Sequence, residues 1–254
     1  MYSIDQEDLE EKLADPQTSM LILCNPHNPV GKIWDRETLE RIGELCFKYH
    51  VLVLSDEIHC DITRPGMEYI PFASVSEHCK NNSITCVAPT KTFNLAGLQT
   101  AAVIVPDAAL RHRVNRGLNT DEVAEPNVFA AIAPIAAFTQ GGAWLDELRE
   151  YLWENRKFAE DFIREEIPEL GTVSADATYL LWIDCNALPG DLSELAEFIR
   201  KESGLYVCDG REYGNGYGFL RMNLACRREL LKEGLERLKR SIHSYRKGIS
   251  NGII

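Results

Sequence analysis

The 254-residue sequence has no apolar run that approaches the roughly 20 residues a helix needs to cross a bilayer. Its opening stretch, MYSIDQEDLEEKL, is acidic and polar and does not resemble a secretory signal. Internal repeats and low-complexity linkers are absent as well. These absences argue against a membrane protein or an exported protein, and we expect a cytoplasmic location.

Regular cysteine spacing is also missing. The eight cysteines form no Cys-x-x-Cys pair, which argues against zinc ribbons and disulfide frameworks. Cys24, Cys86 and Cys185 lie in or beside apolar runs, where a reduced cysteine behaves as a small hydrophobic residue. We therefore expect no metal site and a reducing compartment.

Positive charge is in the minority. The 27 Lys and Arg residues against 39 Asp and Glu residues give a formal net charge of −12. This charge opposes the phosphate backbone of nucleic acids and anionic membranes, so we expect neither as a partner. We interpret the one basic cluster, Arg111, His112, Arg113 and Arg116, as a solvated helix face.

The first two thirds of the sequence alternate strand and helix signals. Short apolar runs predict strands at residues 20–24, 51–55, 83–88 and 101–105. A first helix is predicted within residues 5–13, and Asp35 can cap a second one. Continuous apolar strands separated by helices predict an α/β fold with a mostly parallel sheet covered on both faces.

From residue 107 the pattern becomes helical, and one run from about Gly142 to Ile167 is long enough to bridge two domains. Beyond it, short strands alternate with two amphipathic helices. We predict a large domain over residues 1–142 and a small α+β domain over residues 143–254, linked by the long helix at about 142–167.

Polar motifs follow three of the predicted strands: NPHNPVGK, DEIHCD and PTKTFNLAG. Each motif alone is typical of a turn, a helix cap or a surface lysine. The carboxyl ends of parallel strands share one edge of a sheet, where ligands bind. We therefore expect Asn28, Asp56 and Lys91 to converge on one site.

An amide, a carboxylate and an amine are the groups needed to hold pyridoxal 5'-phosphate (PLP). A lysine amine forms a Schiff base with the aldehyde, and a carboxylate that faces the pyridine nitrogen keeps this nitrogen protonated. An amide donor near the ring oxygen orients the ring. The three motifs therefore lead to the hypothesis of a PLP site.

A family resemblance supports this hypothesis. The chain resembles the fold-type I PLP enzymes of the aminotransferase class I/II superfamily in four motifs that occur in the same order. These motifs are NPHNPVG, SDEIHCD, APTKTFNLAGLQ and GFLRMNLA. Within this superfamily, CNPHNPVGKIW, LSDEIHCD and KTFNLAGLQTAAVIVP are most similar to the cystathionine β-lyase branch, the MalY/PatB-type C–S lyases. The resemblance covers essentially the whole chain.

The resemblance implies a role for each matching residue. Lys91 would form the Schiff base with PLP and then carry the proton at Cα of the substrate. Asn28 would contact the ring oxygen, Asp56 would pair with the pyridine nitrogen, and Thr90 would reach the phosphate. Arg221, in LRMN, would clamp the substrate α-carboxylate, a role that suits a planar bidentate donor.

Some positions depart from the aminotransferase pattern. Gln99 stands eight residues after the lysine, where many aminotransferases carry arginine, and His59 stands where they carry tyrosine. Both changes favour the lyase branch. His59 is a candidate neighbour of the ring oxygen or phosphate, with a purely structural histidine as the alternative. Tyr179 and Trp182 are either pocket or core residues.

Family members also carry an N-terminal region, with a phosphate-binding turn, before the first strand found here. We therefore expect this chain to be a C-terminal fragment that lacks roughly a third of its parent and has an incomplete large domain. The resemblance further implies that the full-length parent is a homodimer.

The leading hypothesis is a PLP-dependent lyase that eliminates a thiol from cystathionine or a cysteine-type amino acid and gives pyruvate and ammonia. One alternative is a PLP-dependent class I/II aminotransferase. The other is a non-catalytic binding or regulatory fragment, because the N-terminal part of the site is missing.

Overall fold

The computed structural model describes residues 2–251. The chain folds into two units, each assembled from separate stretches of sequence. The first unit runs to His27 and continues over Lys32–Arg149 and Asp176–Thr178. The second comprises Asn28–Gly31, Glu150–Ala175 and the chain from Tyr179 onward. The predicted domain boundary at 142/143 concerns the whole protein and stays a prediction.

A four-stranded sheet forms the centre of the first unit. Its strands, in spatial order, are β1 (Met20–Cys24), β2 (Leu52–Asp56), β3 (Ser83–Val87) and β4 (Ala102–Ile104). The first three strands are parallel, and β4 pairs with β3 in the antiparallel direction. The predicted mostly parallel sheet is therefore confirmed, with its strands within a residue or two of the predicted bounds.

Helices precede, connect and follow these strands. They are α1 (Gln6–Ala14), α2 (Arg36–Lys48), α3 (Glu77–Asn81), α4 (Pro89–Thr92), α5 (Ala108–Thr120) and α6 (Phe129–Gln140), with 3-10 turns at Phe72–Ser74 and Ala96–Leu98. Helix α7 (Gly142–Glu166) starts in the first unit and ends in the second. The predicted cap of α2 is present, because the Asp35 side chain accepts a hydrogen bond from the backbone N–H of Thr38 at 2.8 Å.

The core of the first unit lies between the sheet and helices α1 and α2. Its most deeply buried members are Leu39, Cys46, Val51 and Phe72. On the strands that bound the sheet, however, apolar side chains remain exposed: Ile22 on β1 is 68% exposed and Ile104 on β4 is 50% exposed. These two side chains belong to the edge strands. On the inner strand β3, the consecutive residues Ser83, Ile84 and Thr85 are all buried, so both faces of the sheet are covered there as expected.

The second unit contains an antiparallel sheet. Its strands, in spatial order, are β5 (Gly171–Thr172), β6 (Leu180–Asp184), β8 (Phe219–Asn223) and β7 (Cys208–Asp209). Helices α8 (Leu195–Ser203) and α9 (Arg228–Ser250) and 3-10 turns at Leu192–Glu194 and Gly210–Tyr213 complete the unit. The sequence LYVCD forms a strand only at its last two residues, and a 3-10 turn begins directly afterwards at Gly210.

The predicted α+β pattern of this part is present, and its core is larger than that of the first unit. Leu181, Ile183, Ile199, Leu235 and Leu238 are among its fully buried members. Asn155 of α7 joins the core to the end of β8. Its Nδ2 donates to the backbone carbonyls of Leu224 and Cys226 at 3.0 and 2.9 Å.

Across residues 2–251, no helix combines the length and the apolar character that a membrane crossing requires.

Candidate active site

The loops that follow β1, β2 and β3 start side by side at one edge of the first sheet. Cys24 is opposite Asp56, and Asp56 is opposite Cys86. The pairing continues one residue further, since the backbone N–H of Asn25 donates to Asp56 at 3.0 Å and that of Glu57 donates to Cys86 at 2.9 Å. The sequence places DEIHCD and PTKTFNLAG directly after β2 and β3, so the structure brings these two motifs to one edge.

Lys91 lies in α4, the short helical turn that follows β3. Pro89 occupies the first position of this turn, where its fixed φ suits a helix start. The neighbouring Thr92 is fully buried, and its hydroxyl donates to Oδ2 of Asp61 at 2.9 Å. Arg149 of α7 in turn donates through Nε to the Asp61 carbonyl at 2.6 Å. The turn that carries Lys91 is thus fixed to the loop that follows Asp56.

Lys91 and Asp56 are both half-buried. Among the ion pairs formed by the described residues, none includes either side chain. The Asp56 carboxylate accepts one hydrogen bond, from the backbone N–H of Ile58 at 3.3 Å. An amine and a carboxylate at adjacent strand ends, with no counter-ion in the described chain, are groups that can contact a ligand.

His59 and Thr90 lie in the same two loops. His59 is 4% exposed, whereas Thr90 is half-buried. The Thr90 carbonyl accepts a hydrogen bond from the backbone N–H of Leu95 at 3.1 Å, which closes the lysine turn.

A buried polar network lies beside Asp56. Oε1 of Glu57 accepts hydrogen bonds from the Ser55 hydroxyl at 2.9 Å and from the backbone N–H of Phe72 at 3.0 Å. Burial raises the pKa of the Glu57 carboxyl, and these hydrogen bonds only partly offset that effect. The Tyr69 hydroxyl donates to the Asn25 carbonyl at 2.9 Å and accepts from the Asn25 side-chain amide at 3.3 Å. The network fixes the backbone on both sides of Asp56.

Asn28 and Arg221 meet in the second unit. Nη1 of Arg221, on β8, donates to Oδ1 of Asn28 at 2.9 Å. Nη2 of Arg221 donates to Sγ of Cys208 at 3.3 Å, and the guanidinium carbon lies 4.6 Å from the centroid of the Tyr213 ring. Burial raises the pKa of the nearby Tyr179, while the positive charge of Arg221 acts in the opposite direction. Arg221 is therefore a half-buried cation surrounded by neutral groups.

Trp182 belongs to the core. It is 3% exposed and stacks on Phe219, with ring centroids 5.1 Å apart and an angle of 4° between the rings. Its ring also meets Tyr213 edge-on at 5.9 Å. Of the two predicted alternatives for Trp182, the structure therefore supports the core position.

Metal binding receives no support from the geometry. Within residues 2–251, no group of three or more His, Cys, Asp or Glu side chains is arranged to hold a metal ion.

Comparison with known proteins identifies the family. The family model described as aminotransferase class I and II matches residues 1–238. The chain belongs to the aminotransferase class I and II family.

Several members of this family are similar to the chain over nearly its whole length. Cystathionine beta-lyase PatB of Bacillus subtilis (strain 168) is 43% identical over 242 residues, which are 95% of this chain and 62% of the relative. Among solved structures, cystalysin of Treponema denticola, which contains a PLP cofactor, is 32% identical to this chain with a TM-score of 0.89. The match includes 96% of this chain and 62% of the cystalysin chain. A PLP-bound C-S lyase of Staphylococcus hominis is 32% identical to this chain with a TM-score of 0.88. The match includes 95% of this chain and 59% of the lyase chain.

The chain thus spans about three fifths of the length of these aminotransferase class I and II relatives. The predicted family and the predicted fold class are confirmed. The roles of Lys91, Asn28, Asp56, Thr90 and Arg221 stay predictions, and so does that of His59.

Sequence reasoning did not single out Asp61, Tyr213 and Cys208, which contact the predicted residues or their turn. Asp61 could have been noticed, because it ends the DEIHCD motif. Tyr213 and Cys208 could not. The contact of Cys208 with Arg221 depends on the pairing of β7 with β8, and that of Tyr213 depends on the 3-10 turn that follows β7.

Proposed function

We propose that the whole protein is a PLP-dependent C–S lyase that acts on cystathionine or a related cysteine-type amino acid. The observation that carries the proposal is the pair of half-buried residues Lys91 and Asp56 after adjacent strands, neither of which forms an ion pair within residues 2–251. The chain that carries them is 43% identical to a cystathionine beta-lyase. Because the chain covers 62% of that relative, activity, substrate and partners are all proposed for the whole protein.

The chemistry of these side chains fits PLP. The Lys91 amine can bond the aldehyde covalently, and the Asp56 carboxylate can pair with the pyridine nitrogen. Thr90 follows Pro89 at the start of the lysine turn and would bind the phosphate, while Asn28 would bind the ring oxygen. His59 would contribute a further contact to the ring oxygen or phosphate. When bound, PLP would supply an electron-accepting ring that stabilises negative charge at the substrate Cα.

This chain's own residues would bind the substrate and move its proton. Arg221 would bind the α-carboxylate through two parallel N–H donors. The Lys91 amine would remove the proton from Cα and hold it for later transfer. The bond between Cβ and sulfur would then break, the thiolate would leave with the bond's electron pair, and water would release pyruvate and ammonia.

Product analysis tests this proposal. The whole protein, incubated with PLP and cystathionine, should release a free thiol and pyruvate in equal amounts, and Lys91→Ala should release neither. Exchange of the amino group with a keto acid, without thiol release, would instead support a class I/II aminotransferase. Binding of PLP without turnover of either kind would indicate a binding or regulatory protein.

The expected homodimer and cytoplasmic location belong to the same proposal. Val123, Val128, Phe129, Ile132 and Ile135 are each at least 63% exposed, and we call these five residues the α6 surface. Phe129, Ile132 and Ile135 recur every three residues along α6, and exposed apolar side chains repeated along a helix are typical of interaction sites. We propose that the α6 surface contributes to the homodimer contact of the whole protein. Sedimentation of Ile132→Glu should then shift toward the monomer, whereas Arg113→Glu, on α5, should leave the mass unchanged.

A further inference from the structure

Three neutral side chains surround the Arg221 guanidinium in the second unit. Asn28 accepts from Nη1 at 2.9 Å, Cys208 accepts from Nη2 at 3.3 Å, and the Tyr213 ring covers one face at 4.6 Å. No acidic side chain of residues 2–251 forms an ion pair with this guanidinium. Its orientation is therefore set without an internal anion.

The backbone around Tyr213 is tightly packed. Tyr213 ends the 3-10 turn that begins at Gly210. A Cβ atom at Gly210 would lie 2.1 Å from the carbonyl oxygen of Gly216 and 2.7 Å from that of Phe219, so only glycine allows this close approach. Trp182, itself stacked on Phe219, meets the Tyr213 ring edge-on. The position of the Tyr213 ring is thus fixed from the core side.

Cys208 contacts the Arg221 guanidinium from the neighbouring strand. It lies directly opposite Arg221 in the pairing of β7 with β8, so both side chains point to the same face. Burial raises the pKa of Tyr213 to about 12, so the phenol is protonated and neutral at physiological pH.

We propose that Tyr213 and Cys208 are positioning residues that hold the Arg221 guanidinium ready for the α-carboxylate of an amino acid. The inference rests on the proposed role of Arg221. An arginine side chain loses considerable rotamer entropy when it is fixed, and the aromatic face and the sulfur restrict it before the substrate arrives. Because all three neighbours are neutral, the remaining N–H donors favour an anionic group of the ligand.

The first test needs no enzymatic activity. In this chain, ¹⁵N signals of the Arg221 guanidinium should show hindered rotation, with separate resonances for the two Nη atoms. Tyr213→Leu should merge them, whereas Tyr213→Phe, which keeps the ring, should not. Cys208→Ala should speed up the rotation, and Cys208→Ser, which keeps an acceptor, should restore the original rate. Freely rotating Arg221 in the unmodified chain would overturn the inference.

The second test uses the active whole protein and two substrates. One is cystathionine, and the other is the matching thioether amine without the α-carboxylate. Tyr213→Leu should raise KM for cystathionine about tenfold, as expected for a lost cation–π contact, with kcat little changed. For the amine, KM should stay the same. Circular dichroism and thermal unfolding check that each variant is folded.

The outcomes separate the two claims. If Arg221→Ala impairs both substrates equally, the proposed role of Arg221 is wrong. If Arg221→Ala selectively impairs cystathionine but Tyr213→Leu does not, the positioning role alone is wrong. Equal impairment of both substrates by Tyr213→Leu would mean that Tyr213 has only a structural role, which also overturns the inference.

Discussion

The guanidinium of Arg221 donates to the side-chain oxygen of Asn28 at 2.9 Å, although 193 residues separate the two in the sequence. An asparagine from the loop after the first strand and an arginine from the last strand are thus hydrogen-bonded partners. Their contact links the candidate substrate-binding arginine to the NPHNPVG motif.

Arg221→Lys tests whether substrate binding needs the planar, bidentate guanidinium group as well as its positive charge. Lysine keeps the positive charge but cannot make two parallel hydrogen bonds with a carboxylate. Loss of one charged hydrogen bond costs about 1.5–3 kcal/mol, so kcat/KM for cystathionine should fall about 10-fold to 150-fold. Arg240→Lys, at an exposed position of α9, is the matched control and should retain normal kcat/KM. Equal kcat/KM for both variants would contradict a bidentate clamp.

Much of the first unit could be predicted from the sequence because its strands are short apolar runs that end at Asn, Asp or Pro residues. The strand predicted at 20–24 matches β1 exactly in its bounds, and Asp35 caps α2 as expected. The antiparallel direction of β4 could not be predicted, because a three-residue strand carries no signal for its orientation. The exposure of apolar residues such as Ile22 could not be predicted either, because an apolar run has the same sequence pattern whether or not another element packs against it.

The candidate site was predictable to a smaller extent. Lys91 and Asp56 could be placed on one sheet edge because they follow parallel strands. The hydrogen bond between Thr92 and Asp61 joins two loops and could not be derived from local sequence. Cross-strand register likewise decides that Cys208 meets Arg221.

Thr92→Val tests the anchoring of the lysine turn. The substitution keeps the volume of the buried side chain but leaves the Asp61 carboxylate without its 2.9 Å hydrogen bond. A hydrogen bond to a charged group contributes about 1.5–3 kcal/mol, so the free energy of unfolding should fall by about that amount. Thr92→Ser keeps the hydroxyl and should lose less. Urea unfolding measures both variants, and identical midpoints would show that the bond does not hold this turn.

Glu57→Gln should change how stability depends on pH. Burial raises the pKa of Glu57 in the folded chain, so the folded state binds this proton more tightly than the unfolded state does. The resulting stabilisation is complete below the unfolded pKa and is lost as the pH rises through the folded pKa. Glutamine cannot ionise, so Glu57→Gln should gain stability relative to the natural chain between about pH 4 and neutral pH.

Denaturant unfolding at several pH values measures this difference. Glu77→Gln is the control, because Lys80 lowers the pKa of the exposed Glu77. Its effect on the pH dependence of stability should therefore be small and opposite in sign to that of Glu57→Gln. Parallel stability curves for Glu57→Gln and the natural chain would show that Glu57 is not desolvated.

Asn155→Ala should destabilise the second unit. The fully buried Asn155 donates to the carbonyls of Leu224 and Cys226 and accepts from Nε of Arg228 at 2.7 Å. Each buried polar group left without a partner costs about 1–3 kcal/mol, so the free energy of unfolding should fall by about 3 kcal/mol. Asn215→Ala, at an exposed position, should stay within about 0.5 kcal/mol. Comparable losses in the two variants would argue against this network.

Covalent attachment of PLP is the most direct test of the proposed function. The whole protein is incubated with PLP, reduced with borohydride and digested, and its peptides are mapped by mass spectrometry. The pyridoxyl mass should be found on the peptide that contains Lys91 and should be absent from the Lys91→Ala variant. Lys80 is exposed, and the Lys80→Ala variant should still carry the pyridoxyl group on the Lys91 peptide. A pyridoxyl group on a different lysine, or on none, would contradict the assignment of Lys91 as the cofactor-binding residue.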